Sequence, residues 1–186
     1  MPSDTVEKII LSAEKQARSG GYNGFSFREI VKEIGIKSAS IHYHFPTKAD
    51  LATELTRRYT ERFENKLNAI ASANKTLHSK LLAYANELYE AAKNKNKMCL
   101  CGLFTAEIDI LPDAVTDKLQ QFFKLNEQWL IVQLTQHDTP LQGEQTPQKV
   151  ALQLIATMEG AILLAKAFKS QNYFHDAVDL SAFSSL

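Results

Sequence analysis

The most constraining part of the sequence is the run of residues 24–51, GFSFREIVKEIGIKSASIHYHFPTKADL, because it holds two helix-start signals around one helix-stop signal. Ser26 with the glutamate three residues later has the spacing of a capping box, in which each side chain accepts a hydrogen bond from the other residue's backbone N–H. Thr47 and the aspartate three residues after it repeat that spacing. Between them, Gly35 can take the left-handed conformation that ends a helix. The run therefore predicts a short helix, a tight turn, a second short helix and the start of a third.

Each of the two short helices has its apolar residues on one side. The first carries a stripe at the i, i+3, i+4, i+7 spacing of a helix face, made by Phe27, Ile30, Val31 and Ile34. In the second, Ile41 and Phe45 form the apolar pair that can pack back onto the first. Two short helices joined by a glycine-containing turn form a helix-turn-helix, whose second helix enters the major groove of DNA.

The other faces of this motif carry small, cationic or hydrogen-bonding groups, which suit contact with double-stranded DNA. No acidic residue lies between positions 34 and 49, so DNA phosphates meet no opposing charge there. Ser26 and Arg28 lie where a helix N-terminus and a guanidinium can grip phosphate, although helix capping alone also accounts for Ser26. Lys48 begins the next helix, whose dipole favours an anion. The residues predicted to contact DNA are Ser26, Arg28, Lys37, Ser38, Ala39, Ser40, His42, Tyr43, His44 and Lys48.

The run SFREIVKEIGIKSASIHYHFPTKADL resembles the DNA-binding segment of the TetR family of transcriptional repressors. The family signature ends in an aromatic stretch that closes with His-Phe-x-x-Lys, and residues 43–48 here read Tyr-His-Phe-Pro-Thr-Lys. The close match covers residues 4–55, and His42 stands where many members carry another aromatic residue. The resemblance implies a cytoplasmic, homodimeric repressor that binds a palindromic operator and leaves it when a small-molecule inducer binds.

Beyond the motif, apolar residues keep helical spacing along the chain, so the fold is predicted to be all-α. A first helix over residues 3–19 is expected to complete a three-helix, DNA-binding head within residues 1–47. A long helix that continues to about Ala73 joins this head to residues 48–186. The resemblance implies that residues 48–186 form a helical ligand-binding and dimerisation domain.

Four smaller features carry expectations of their own. Residues 20–24 are expected to form a surface turn that tolerates change. Residues 93–97, rich in lysine and asparagine, are expected to form a solvated loop rather than a second DNA contact. Residues 98–108 are predicted to form a short helix. Gly160 lies inside the last long helix, where glycine costs about 1 kcal/mol relative to alanine, and a close approach by a partner backbone is its expected compensation.

The resemblance also implies a ligand cavity in the helical body and a four-helix interface built by the last two long helices of each subunit. Each residue expected to line the cavity is also an ordinary core residue, and the set is Tyr59, Phe63, Tyr84, Tyr89, Cys101, Phe104, Phe122, Trp129 and Met158. The residues expected at the subunit interface are Phe123, Leu130, Leu134, Leu154, Ala161, Ile162 and Ala165.

The two cysteines leave two interpretations open. Cys99 begins a predicted helix and follows several lysines, and both features lower the pKa of a thiol and make it reactive. Its place resembles that of the sensor cysteine in electrophile-responsive members of the family, which makes an electrophile- or redox-sensing repressor the first alternative. The second interpretation is that Cys99 and Cys101 are small buried apolar residues. Two cysteines cannot make a disulfide framework, which also favours the cytoplasm.

Composition argues against other classes of protein. The 186 residues carry no formal net charge, whereas a protein that coats DNA without sequence preference needs a cationic excess. The N-terminus lacks the pattern of a signal peptide. The longest apolar stretch, residues 150–168, is interrupted by Gln153, Glu159 and Lys166, so no membrane partner is expected.

No convergent set of nucleophile, base and orienting group stands out, so an enzyme is not expected. His42 and His44 are two residues apart and point in different directions on a helix, which makes them poor joint metal ligands. We therefore expect no metal and no cofactor. The alternative from another class is a helical protein-interaction module without sequence-specific DNA binding.

Overall fold

The structure, a computed structural model, describes residues 4–93, 98–137 and 145–183, and within these ranges it contains helices and no strand. This confirms the all-α prediction. The α-helices are α1 (Asp4–Gly20), α2 (Phe27–Ile34), α3 (Ser38–His44), α4 (Lys48–Ala73), α5 (Leu77–Lys93), α6 (Leu100–Thr105), α7 (Asp113–Gln136), α8 (Pro147–Ala167) and α9 (Asn172–Ala177). Most of the predicted loop at residues 93–97 lies outside the described residues.

The helix signals read from the sequence are present in the structure. The Ser26 hydroxyl accepts a hydrogen bond from the backbone N–H of Glu29 at 3.2 Å. Gly35 ends α2 in the left-handed conformation, with φ 72° and ψ 34°. Thr47 and Asp50 form a reciprocal capping box, with N–H to oxygen distances of 2.9 and 3.1 Å. These local hydrogen bonds fix where α2 and α4 begin and how α2 turns into α3.

The chain divides into two compact units, which we call the head unit and the body unit. The head unit comprises Met1–Glu61 and Lys97–Gln121, and the body unit comprises Arg62–Asn96 and Phe122–Leu186. The units follow contacts between residues, and the functional division at residue 47 stays a prediction. Residues 97–121, which are distant in sequence from the helix-turn-helix, therefore pack as part of the same unit.

The core of the head unit is made by one apolar face of each N-terminal helix. Among the residues without exposed surface are Ile10 of α1, Ile30 of α2, Ile41 of α3 and Leu51 of α4. Burying a side chain of this size contributes roughly 1.5–3 kcal/mol relative to leaving it in water. The three small helices are thus held by a shared core, as the apolar spacing predicts.

A polar cluster also ties α1 to α2. The Glu33 carboxylate accepts hydrogen bonds from Lys15 Nζ at 2.5 Å, Ser12 Oγ at 2.8 Å and Gln16 Nε2 at 3.1 Å. The Lys15 hydrogen bond, followed by those from Ser12 and Gln16, lowers the pKa of Glu33 from 4.5 to about 2. Three donors from one helix therefore stabilise the ionised carboxylate of the other.

The segment around α6 is fastened to the end of α1. Arg18 Nε donates to the carbonyl oxygen of Met98 at 2.9 Å, and the Met98 N–H donates back to the Arg18 carbonyl oxygen at 3.1 Å. The helix predicted over residues 98–108 is shorter, because α6 ends at Thr105 and a 3₁₀ turn follows at Ile108–Ile110. Ile108 is 40% exposed and does not belong to the core.

The loop at residues 20–24 is predicted to be a surface turn that tolerates change; Gly20, Asn23 and Gly24 are exposed, but Gly21 does not fit that prediction. Gly21 is buried and has φ 72°, a left-handed conformation that L side chains rarely adopt. A Cβ atom at this position would lie 2.3 Å from Oε2 of Glu107. Glu107 imposes this restraint, and its carboxylate also accepts the N–H of Tyr22, 85 positions earlier in the chain. A local sequence pattern cannot reveal a contact between residues so far apart.

In the body unit, α8 begins as predicted, with Pro147 in its first turn and the Thr146 hydroxyl accepting the Lys149 N–H at 3.3 Å. One stripe of α8 is apolar and not buried. It consists of Leu152, Ala156, Gly160, Leu163 and Ala167. We call this set the α8 stripe. Among the described residues, α8 is also the helix that is long and apolar enough to cross a bilayer, judged by length and composition alone.

Candidate nucleic-acid interface

The helix α3 presents its polar side chains away from the core of the head unit. Ile41 has no exposed surface and Phe45 is 7% exposed, so this apolar pair anchors the helix as predicted. On the other faces, Tyr43 is 83% exposed, and Lys37, Ser38 and Ala39 are also exposed. The strip of predicted DNA contacts is therefore accessible on the head unit.

The two histidines of α3 are held by different neighbours. The His42 ring lies 4.9 Å from the Phe27 ring, and its Nδ1 is 3.4 Å from the carbonyl oxygen of Pro46. His44 is half-buried, with its ring 5.1 Å from that of Tyr43. Both rings thus have fixed neighbours at the surface of the motif.

The flanking residues predicted to hold phosphate differ in how available they are. Arg28 is exposed, whereas Ser26 is half-buried and its hydroxyl is engaged in the helix cap. Lys48 places its Nζ 4.6 Å from the centre of the Tyr22 ring and 4.7 Å from that of Phe25. Burial is the main cause of a lowered Lys48 pKa, and the negative charge of Glu107 acts in the opposite direction.

Comparisons with known proteins agree with this geometry. The family model described as bacterial regulatory proteins, tetR family, matches residues 9–55, and that of the LmrA/YxaF-like transcriptional regulator C-terminal domain matches residues 74–180. The chain belongs to the TetR family of transcriptional regulators. Its N-terminal motif is the DNA-binding helix-turn-helix of that family, and the chain is a regulator, not an enzyme.

Individual relatives of this TetR-family regulator span nearly its whole length. It is 25% identical over 171 residues to the HTH-type transcriptional regulator LmrA of Bacillus subtilis, covering 90% of this chain and 89% of that protein. A TetR transcriptional regulator from Legionella pneumophila has a TM-score of 0.87 and 32% identity, covering 95% of both chains. One from Agrobacterium tumefaciens has a TM-score of 0.88 and 29% identity over the same share of each chain.

The residues predicted to line one ligand cavity lie in two different units of this TetR-family chain. Tyr59, Cys101 and Phe104 belong to the head unit. The remaining six, Phe63, Tyr84, Tyr89, Phe122, Trp129 and Met158, belong to the body unit. The nine residues therefore do not form a single site within either unit, and their part in ligand binding stays a prediction.

Four of the six form an aromatic cluster in the body unit. Tyr84 stacks on Trp129 with 5.6 Å between ring centres, and Phe63 lies 5.3 Å from Phe122. The Tyr84 hydroxyl donates to Asn126 Oδ1 at 2.8 Å. The Trp129 Nε1–H is buried and has no hydrogen-bond partner among the described residues. Tyr89 instead contacts the rings of α9, 5.0 Å from Phe174 and 4.9 Å from His175.

Sequence reasoning missed the polar residues buried beside this cluster. Lys80 is 8% exposed, and its Nζ donates to Gln133 Oε1 at 2.9 Å and lies 3.2 Å from His137 Nε2. The available signal was the recurrence of polar residues at helical spacing, at Asn126 and Gln133 of α7 and at His137 just after it. Burying such groups is costly unless they are hydrogen-bonded, so their pairing specifies how α5 and α7 pack.

A cleft of about 330 Å³ lies elsewhere in the body unit, between α5 and the C-terminal segment. None of the residues predicted for the ligand cavity lines it. Its walls are mostly apolar and comprise His78, Leu82, Ala85, Asn86, Phe174, His175, Val178, Leu180 and Ser181.

The predicted subunit interface requires correction. Leu130, Leu134, Ala161 and Ile162 are each at most 1% exposed, so they are core residues of the body unit with no surface to offer a partner. Phe123, Leu154 and Ala165 are half-buried, and their place at an interface stays a prediction. The more exposed apolar surface of α8 instead follows the α8 stripe and includes Leu164 at 44%, and it continues into Phe168, just after the helix, at 58%.

Both cysteines of the head unit are buried. Cys99 and Cys101 have no exposed surface, and they lie beside Tyr59. Burial, and then the nearby thiols, holds the pKa of Tyr59 well above its usual value. Inaccessibility to solvent supports the interpretation of both thiols as small core residues.

Proposed function

We propose that the chain is a cytoplasmic repressor that binds a palindromic operator as a homodimer and leaves it when a small molecule binds the body. The observation that carries the proposal is the outward face of α3, with Tyr43 at 83% exposure opposite the buried Ile41. Such a helix can lie in a major groove while its apolar side remains in the head unit.

One α3 helix has only seven residues, which limits what it can read by itself. At about 1.5 Å per residue it spans on the order of 10 Å, or roughly three base pairs. Two such helices in a dimer, separated by roughly 34 Å or a multiple of it, would read two half-sites of a palindrome. Homodimerisation therefore supplies the specificity that a single motif lacks.

The α8 stripe supports a second copy of this chain as the dimer partner. Leu152 is 53% exposed and Leu163 is 54% exposed on the same face of the helix. A Cβ atom added to Gly160 between them would meet no atom within 4 Å, so a partner backbone has room to approach. Contiguous exposed apolar surface of this kind marks interaction sites.

Release by an inducer follows from reciprocal linkage between the two sites. A small molecule that binds better to the DNA-free protein lowers the affinity for the operator by some factor. By linkage, the operator lowers the affinity for the small molecule by the same factor. The mostly apolar interior of the body unit suits an organic molecule rather than an ion.

Selection of bound duplexes from a random-sequence pool tests the proposal. We expect enrichment of an inverted repeat whose half-sites lie about one helical turn apart. The matched control is Ser38→Glu, because an acid in the first turn of α3 favours the helix but repels phosphate. Enrichment of no sequence would support the protein-interaction module, and enrichment of an asymmetric single site would contradict the dimeric arrangement.

Electrophile sensing through Cys99 is the second candidate for the release step. Its specific support is the place of Cys99, next to Met98, which Arg18 binds, and beside Tyr59, because modification there would disturb the attachment of α6 to α1. The test compares wild type and Cys99→Ser on the selected duplex after aldehyde or peroxide treatment. Release of the wild type alone would favour Cys99, and equal retention of both on DNA would exclude it.

A further inference from the structure

Glu107 reaches from the end of α6 to the loop that precedes the helix-turn-helix. Its Oε2 accepts a hydrogen bond from the backbone N–H of Tyr22 at 2.5 Å. The same carboxylate lies against Gly21, where an added Cβ atom would be 2.3 Å from Oε2 and 2.8 Å from Oε1. The absence of a side chain at Gly21 thus lets a charged group approach the backbone of the loop.

The loop that Glu107 binds is also close to Lys48, whose ammonium lies over two aromatic rings at and just after the loop. Lys48 Nζ lies within 4.7 Å of the ring centres of both Tyr22 and Phe25. Phe104 of α6 supports the same two rings, 6.0 Å from Tyr22 and 6.5 Å from Phe25. An ammonium over two ring faces is attracted by their negative charge density, so the cation–π interactions stabilise Lys48 in this position.

Lys48 is also the first residue of α4, whose N-terminus favours an anion such as a DNA phosphate. Over the two rings its single ammonium feels the negative charge of Glu107, and it would have to leave that position to make full contact with a phosphate. The Glu107 carboxylate therefore weakens DNA binding in two ways, because it attracts the Lys48 ammonium and repels the DNA phosphate.

We propose that Glu107 is a positioning residue that competes with the DNA backbone for Lys48 and so lowers the affinity of this regulator for its operator. This inference rests on the proposed DNA-binding function. It assigns a residue outside the helix-turn-helix, 59 positions after Lys48, a direct part in setting operator affinity.

The test uses Glu107→Gln, which keeps an oxygen to accept the Tyr22 N–H and removes the charge. On a duplex selected by the wild-type protein, we expect Glu107→Gln to bind threefold to tenfold more tightly. In a Lys48→Met background, which keeps the apolar stem over the rings, the same change should give no gain. Asp109→Asn is the control for loss of one negative charge, because Asp109 is an exposed acid only two residues away.

Three results would overturn the proposal: unchanged or weaker binding by Glu107→Gln, an equal gain from Asp109→Asn, or persistence of the gain without Lys48. A purely structural role for Glu107 predicts loss rather than gain, so the sign of the effect separates the two.

A readout without DNA distinguishes failure of this inference from failure of the proposed function. In the free protein, ring currents should shift the Lys48 ε-CH₂ proton resonances, and Glu107→Gln should move them towards those of a solvent-exposed lysine while Asp109→Asn does not. If no duplex is selected, the proposed function fails, and the spectrum alone then tests whether Glu107 holds Lys48 over the two rings. Lys48 resonances that do not respond to Glu107→Gln would then refute the role of Glu107.

Discussion

Tyr43, His42 and Ser40 lie on one short helix, but their surroundings differ. Tyr43 projects 83% of its surface into solvent, whereas the His42 ring rests 4.9 Å from Phe27. Ser40 is half-buried on the same helix. Tyr43 is predicted to contact the DNA backbone, which carries no direct sequence information, and Ser40 and His42 are predicted to contact base edges, which do.

We therefore expect these three positions to affect DNA binding in different ways. Tyr43→Ala should weaken binding to every duplex by about 1.5–3 kcal/mol, the usual contribution of a hydrogen bond to a charged group, because a backbone contact is independent of sequence. Ser40→Ala and His42→Ala should instead change which base is preferred at single positions. Dissociation constants on a panel of duplexes with single base changes provide the measurement. An equal loss on all duplexes from all three variants would contradict this division.

The two adjacent glycines at the end of α1, Gly20 inside the helix and Gly21 just after it, give a prediction for stability. Gly21→Ala should lower the free energy of unfolding by about 1–3 kcal/mol, because alanine is strained at φ 72° and its Cβ would meet the Glu107 carboxylate. Gly20→Ala is the control, since Gly20 is helical and a Cβ there would meet nothing within 4 Å. Urea denaturation of both variants provides the comparison. Equal stability of the two would mean that Gly21 is not constrained as described.

At the scale of helices, the start of α2, α4 and α8 follows from local chemistry, and the sequence predicts each of them. Ser26, Thr47 and Thr146 bond to backbone groups three residues away, so a short window of sequence contains the whole interaction. The conformation of residues 20–24 depends instead on contacts with Glu107, in a distant part of the chain. No local pattern could predict them, because Glu107 and Gly21 become neighbours only after folding.

The cluster that joins α1 to α2 gives a prediction for pH dependence. The pKa of Glu33 is about 2 in the folded protein, below its ordinary value of 4.5, so folding favours the ionised carboxylate. Its stabilising contribution is complete above about pH 4.5 and is lost as the pH falls through about 2. The side chain is 35% exposed, so solvent screening limits the contribution to about 1 kcal/mol or less.

Comparison of wild type with Glu33→Gln tests this prediction. The stability difference should be largest near pH 7 and should vanish near pH 2, as measured by urea denaturation across this range. Glu64→Gln, a change at an exposed glutamate of α4, should show no such pH dependence. A difference that grows as the pH falls would have the wrong sign for the Glu33 cluster.

At the scale of the whole molecule, the sequence predicts the fold and the family but not which apolar side of α8 is covered by its own chain. Because α8 is apolar on more than one face, its spacing alone does not separate Ile162, which is buried, from Leu163, which is 54% exposed. The burial of each residue separates the two, and we therefore expect Leu163 rather than Ile162 to contact a second copy of the chain.

Leu163→Lys should therefore weaken self-association at least tenfold, because a charge placed in an apolar contact loses its hydration without gaining a partner. Operator binding should weaken with it, since a monomer engages one half-site. Leu11→Lys is the control, because Leu11 is a leucine of similar exposure, at 57%, on α1. Sedimentation equilibrium measures the association constant. Dimers that persist in Leu163→Lys would place the contact elsewhere or leave the α8 stripe to another partner, such as a lipid surface.

The division into units has a practical consequence for protein engineering. A chimeric regulator can be designed by cutting the chain soon after the helix-turn-helix and joining the DNA-binding part to another sensor domain. Here Gly21 and Tyr22 meet Glu107, and Arg18 meets Met98, within one unit that is discontinuous in sequence. A transplant limited to residues 1–61 would leave these groups without their counterparts, so residues 97–121 must travel with it.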